Sequence, residues 1–219
     1  MDQDRTDAAG GTREGARLSS ASVARNAGPI AEGWGALLPV SGRVLEVASG
    51  TGEHAVRLTT AMPGLRWRPS DPDATSRRSQ AAWAAAAPDG AVLDPLALDA
   101  TEDGWWDAAG GPYDVLFCAN MIHIAPWAAT EGLMRGAGAL LGRTDHPGRA
   151  LALYGPFSRR GAMANSNHRF DAALKARDPA FGVRDLDDRV QPLAARFGLA
   201  LRDVHEMPAN NLFVVFAPN

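Results

Sequence analysis

The sequence predicts an α/β protein built on a mostly parallel sheet with helices on both faces. Three observations carry that reading. Short apolar runs alternate with helix-patterned segments through five successive units, an alternation that parallel strands with helical crossovers produce. The last two apolar runs are separated by only a short loop, which cannot make a parallel crossover, so they are predicted to form an antiparallel hairpin at the sheet edge. The composition, 46% hydrophobic and 21% charged over 219 residues, is that of a soluble globular chain long enough for a sizeable core.

Residues 1–17 are charged, Gly-rich and without hydrophobic period, and are expected to be a disordered tail. Leu18–Leu38 reads as a helix broken near Gly28-Pro29 and ended by Pro39, so that residues 18–39 would form an arm or lid on a sheet domain spanning 40–219. The apolar run Arg43–Ala48, bounded by Gly42 and Gly50, predicts the first buried strand. Thr51–Ala61 follows as a helix stopped by Pro63, and Leu65–Arg68 as a second strand ending at Ser70-Asp71-Pro72. Asp73 is placed to cap an alanine-rich helix that runs to Ala87 and stops at Pro88. Leu93–Leu98 is a weaker third strand, and Asp114–Asn120 the clearest buried strand of the chain. Trp105-Trp106 reads as a hydrophobic plug under a loop. Helix Pro126–Leu141 leads to strand Arg149–Tyr154, and the hairpin strands are Leu199–Val204 and Leu212–Ala217.

Charge and cysteine content exclude several roles. A formal net charge of −3 lacks the basic excess of a chain that wraps nucleic acid, so no nucleic-acid partner is expected. The single cysteine, Cys118, rules out an internal disulfide and a Cys-rich zinc site. His168 and Asp171 form only a loose i, i+3 pair, so no metal is expected. No apolar run approaches the roughly 18 residues of a membrane span, and Met1–Gly15 lacks the apolar core of a signal peptide. The expectation is a cytoplasmic protein without a membrane partner; nothing in the sequence sets its oligomeric state. Lys175 is the one lysine among 22 cationic residues, an arginine bias that fits a GC-rich genome better than a phosphate-binding role.

The segment Glu46-Val47-Ala48-Ser49-Gly50-Thr51-Gly52 joins the first strand to the first helix. Its small residues let the backbone pass close to a ligand, and the helix start offers unpaired N–H groups. A pyrophosphate cradle would use G-x-G-x-x-G without an inward carboxylate. Here Glu46 would instead face a cationic group such as an amino acid ammonium. Asp71, at the end of the second strand, is placed to accept both hydroxyls of a ribose, and Asp99, after the third, to reach an adenine amino group. Three acids at successive strand ends fit S-adenosylmethionine (SAM) better than a dinucleotide. Each has a plainer reading: a tight strand–helix turn for the glycines, a helix cap for Asp71, a surface acid for Asp99, a hydrogen-bonded structural histidine for His54.

The stretch Val44–His54 resembles the first motif of class I SAM-dependent methyltransferases. More narrowly it is similar to domain-of-unknown-function family 938, whose animal members are named methyltransferase-like protein 26. Matching stretches are Arg25-Asn26 with Pro29-Ile30, Trp67–Asp71, Asn120–Trp127, Tyr154–Phe157, Ser166-Asn167 with Phe170-Asp171, Arg177-Asp178-Pro179 and Pro208–Leu212. The family usually carries an aromatic and a proline before Arg25, where this chain has Leu18-Ser19-Ser20-Ala21-Ser22. The resemblance implies a Rossmann-like, seven-stranded sheet with an antiparallel C-terminal strand.

On this reading the cofactor residues are Glu46, Ala48, Ser49, Gly50, Thr51, Gly52, His54, Asp71, Asp99, Ala100, Asn120 and Met121. Methyl transfer is an in-line displacement in which alignment of the reactants dominates. His123, with an unperturbed pKa of about 6.5, suits a general base, or else only holds its loop. Tyr154 joins it as a catalytic candidate. The substrate candidates are Arg25, Asn26, His123, Trp127, Tyr154, Phe157, Asn167 and Asn210; the aromatics could wall a cationic centre or pack the core. The leading function is methyl transfer to an O or N nucleophile of a small molecule. The alternative is a SAM- or SAH-binding sensor or scaffold without transfer. A dinucleotide oxidoreductase is disfavoured by the glycine spacing and by Glu46.

Overall fold

The computed structural model describes residues 13–14, 17–87 and 90–219. Its centre is a six-stranded sheet. The strands are β1 (Ser41–Glu46), β2 (Gly64–Pro69), β3 (Val115–Ala119), β4 (Ala150–Gly155), β5 (Leu199–Met207) and β6 (Asn211–Pro218). Their spatial order is β2-β1-β3-β4-β6-β5. The first four are parallel, with Leu45 opposite Leu116 and Leu116 opposite Leu151. Only β6 runs against its neighbours, placing Val214 opposite both Leu153 and Val204. The predicted C-terminal hairpin at the sheet edge is therefore present.

β3 and β4 are near-continuous apolar runs because both of their faces are covered. Helices α1 (Ala21–Leu37) and α2 (Glu53–Ala61) cover one face, and α5 (Trp127–Leu141) and α7 (Gln191–Arg196) the other. Strand alternation sorts the cores. Val44, Trp67, Phe117 and Phe213 meet Ile30, Trp34 and Leu58 on the first face. Leu45, Leu116, Leu151 and Val214 meet Leu133, Leu140 and Leu193 on the second. Helix α3 (Ala74–Ala84) starts where predicted, with the Asp73 carboxylate accepting from Ser76 N–H. The short helix α4 (Trp105–Ala109) presses Trp105 onto α5, where its indole donates to the Gly132 carbonyl.

Two expectations need correction. The sheet has six strands, not seven, because the predicted strand Leu93–Leu98 makes a single isolated bridge, Leu96 to Ser70, with a second just before it from Val92 to Trp67. Pro95 has no N–H to give, and the Asp94 carbonyl is taken by the Arg68 guanidinium. Second, α1 runs unbroken through Pro29. An interior proline costs about 3 kcal/mol, but burying Ile30 and Trp34 completely contributes about 3–6 kcal/mol together. Helices α6 (Asn165–Arg177) and α7 add to the elements read from the sequence, which place none between Tyr154 and Leu199. Among the described residues, no helix is long and apolar enough to cross a membrane.

Candidate active site

The loop after β1 is held in a shape few side chains tolerate. Ala48, Gly50 and Gly52 have φ of 57°, 55° and 90°. Gly52 has a second constraint: a Cβ there would lie 2.8 Å from the Gln80 Cα of α3. At Gly50 a Cβ meets nothing within 4 Å among the described residues, so the loop is open on that side. Crosslinks fix the rest. Ser49 N–H donates to the Ser70 carbonyl, Ser70 N–H to Ser49 Oγ, and the Ser70 hydroxyl to the Glu46 carbonyl.

The acids at the strand ends brace this loop. Asp71 is buried; its carboxylate accepts from Gly50 N–H and Asp73 N–H at 3.0 Å each. Burial raises its pKa, against the lowering effect of those two bonds. Glu46 is 1% exposed, accepts from the Trp67 indole at 2.9 Å, and lies 3.4 Å from His54 Nδ1. His54 Nε2 is buried and finds no partner among the described residues. Asp99 accepts from both the backbone N–H and the hydroxyl of Thr101. The Ala100 carbonyl sits against α5, where only Gly132 leaves room for it.

Beyond β3 the chain turns through Asn120, at φ 62°, whose N–H donates to the Tyr154 carbonyl. His123 is completely buried, edge-on to Phe157 with ring centroids 5.0 Å apart. Its Nδ1 accepts from Arg184 N–H, so the neutral ring carries its proton on Nε2 and presents a donor there. Nε2 has no partner among the described residues. Desolvation, then the nearby Arg184 guanidinium, push the His123 pKa down to about 3. The Tyr154 hydroxyl accepts from Asn211 Nδ2 at 3.0 Å, and burial pushes its pKa up to about 12.

A cavity of about 960 Å³ opens at the C-terminal ends of the parallel strands, where ligands bind in open α/β sheets. One wall is Gly50, Thr51, Asp73, Thr75 and Ser76; another is Ser22, Arg25 and Asn26 of α1. A third comes from one face of α6, with Asn167, Phe170, Leu174 and Arg177 at helical spacing. Asn120, Ile124, Ala209 and Asn211 also line it.

The predicted residues Arg25, Asn26, Gly50, Thr51, Asn120 and Asn167 thus share one cavity. Glu46, Asp71, His123 and Tyr154 stand behind it, each bonded to the framework rather than lining it. Met121 and Phe157 are buried in the core of the second face. Asn210 is exposed, bonded through its side chain to Ser166 and through its carbonyl to Asn167. Trp127 lies in a separate cleft of about 260 Å³ with Glu131 and Pro192, under the Arg189 guanidinium. Sequence reasoning missed Ile124, Phe170, Arg177 and Asn211 as cavity residues, and Arg184 altogether. The buried Arg184 guanidinium donates to the Ile122, Ala125 and Ala180 carbonyls, tying the turn after β3 to the segment after α6.

Comparison with known proteins settles the family. The model of a family described as "Protein of unknown function (DUF938)" matches residues 17–218. The chain belongs to the DUF938 family. Among solved structures it is similar to an O-methyltransferase family protein from Burkholderia thailandensis, at 15% identity and a TM-score of 0.73, over 90% of this chain and 57% of that one. It is also similar to TnmH, at 22% identity and a TM-score of 0.68, covering 90% and 55%. The methyltransferase CalO1, solved with S-adenosylhomocysteine (SAH) bound, matches at 16% identity and a TM-score of 0.69, covering 90% and 54%. This DUF938 chain thus has the class I methyltransferase fold, and it spans little over half the length of these solved structures.

Proposed function

We propose that this DUF938 protein is a SAM-dependent methyltransferase acting on an O or N nucleophile of a small molecule. The observation that carries the reading is the cavity itself. Its volume, about 960 Å³, lies at the upper end of the roughly 300–1,000 Å³ of small-ligand pockets, room for a donor beside an acceptor. The glycine loop and Asp73 form one side, and α1 and α6 bring a separate polar and apolar wall.

The residues fit the cofactor. The space left at Gly50 admits close approach, and α2 begins with no side-chain cap on its N–H groups. When bound, SAM supplies an electrophilic methyl group. Gly50, Thr51 and Asn120 would hold it, with Asp71 fixing Gly50 and Glu46 fixing His54 and Trp67 from behind. The chain's contribution to the reaction is then alignment and exclusion of water. His123 and Tyr154 act as positioning residues: His123 secures the turn that carries Asn120, and Tyr154 orients Asn211.

Titration calorimetry with SAM and with SAH tests the cofactor, and transfer of labelled methyl from SAM to small molecules of a cell extract tests the reaction. Binding of SAM with transfer supports the proposal. Binding without transfer to any acceptor favours the sensor or scaffold, and no binding overturns both.

A further inference from the structure

The acceptor wall of the cavity has a definite chemistry. Among the described residues three charged side chains line the cavity: Arg25 and Arg177 against Asp73, one positive charge in excess. Asp73 stands on the glycine-loop side, where its carboxylate is used by the cap of α3. Its pKa is lowered by that bond, so it stays ionised. The two arginines stand on α1 and α6, and neither has a carboxylate partner among the described residues. Arg25 acts electrostatically on Tyr154, whose hydroxyl is bonded to Asn211. Arg25 and Asn26, neighbours on α1, thus set a guanidinium and an amide on one wall; the Asn211 amide hydrogens are taken by the Tyr154 hydroxyl and the Pro208 carbonyl. The wall also has an apolar part: Ile124 and Phe170 are 44% and 42% exposed, two of only three large hydrophobic side chains so open to solvent among the described residues, and both line this cavity.

An unpaired guanidinium beside a planar amide suits a carboxylate, and exposed apolar side chains in a pocket suit an apolar body. We propose that the substrate is a small amphipathic carboxylic acid, its carboxylate held at Arg25 and its apolar body against Ile124 and Phe170. Arg177 adds attraction for the anion. This names the substrate class of the methyltransferase proposed above and rests on that reading for the reaction, though not for the binding.

The test is direct binding to the full chain. 4-Hydroxyphenylacetate, indole-3-acetate and octanoate, each beside its uncharged amide, are titrated by ligand-observed NMR and calorimetry, with and without SAH. At least one acid is expected to bind saturably and at least about tenfold tighter than its amide, a gap of about 1.4 kcal/mol. Arg25→Gln should remove that preference, Arg25→Lys should keep part of it, and Arg177→Gln should weaken the acid without abolishing the preference. Arg25 is exposed, so its variants should fold; unchanged circular dichroism and melting check this. Amides binding as well as acids, Arg25→Gln leaving the preference intact, or no acid binding at millimolar concentration would each overturn the proposal. SAH affinity in the same samples separates the two readings: loss of cofactor binding counts against the methyltransferase, while acid preference without SAH still stands.

Discussion

Gly50 and Gly52 stand two residues apart and answer to different constraints. Gly52 combines φ of 90° with an α3 backbone atom 2.8 Å from where a Cβ would be. Gly52→Ala must therefore both strain the loop and displace α3, at a cost of about 2–4 kcal/mol. Gly50 has φ of 55° and open space, so Gly50→Ala should cost only about 1–2 kcal/mol. Its new methyl, however, would stand in the cavity and lower SAM affinity at least about tenfold. Urea denaturation and calorimetry on both variants check the contrast; a Gly50→Ala protein that binds SAM like the wild type would remove this loop as the cofactor cradle. Part of this was legible in the sequence, because small residues between a strand and a helix leave few other uses. The second role of Gly52 was not, since it depends on where Gln80 of α3 packs, far along the chain.

At the scale of elements, buried strands were readable because apolar runs bounded by Gly and Pro have few alternatives. Leu93–Leu98 failed as a strand through one residue, Pro95, whose missing N–H the apolar pattern does not reveal. Helix α6 escaped for a different reason. Its inner face is Asn167, Phe170, Leu174 and Arg177, polar at both ends because it borders a cavity rather than a core. The turn from Asn120 to Ala125 is likewise set from outside, by Arg184. A guanidinium reaches three carbonyls on two segments; an ammonium on a flexible stem cannot span them. Arg184→Lys should leave at least two of those bonds unmade, lowering stability by about 2–4 kcal/mol. Chemical denaturation measures this, and hydrogen exchange at Asn120–Ala125 should speed up in step. A variant as stable as the wild type, with unchanged exchange, would reduce the clamp to a spectator.

For the whole molecule, the parallel sheet divides the interior into two cores, and its C-terminal edge leaves buried polar groups between them and the cavity. Such groups couple the fold to pH. His123 is completely buried and its pKa is depressed to about 3. The unfolded chain takes up a proton at this histidine near pH 6.5, whereas the folded chain resists until about pH 3. Between those values the unfolded state binds the extra proton, so stability falls as pH falls, with a slope from this group approaching about 1.4 kcal/mol per pH unit. Asp71 has the opposite sign: with its pKa raised by burial, it costs stability as pH rises from 3.8 through its folded value, and so opposes the histidine over that window. His123→Asn keeps an acceptor for the Arg184 N–H in the form of Oδ1 but no longer titrates. The variant should be less stable than the wild type at pH 7.5, and the gap should narrow steadily as the pH falls below 6.5. Urea midpoints across that range decide the matter: parallel curves for the two proteins would mean that His123 is not the group whose protonation opens the fold in acid.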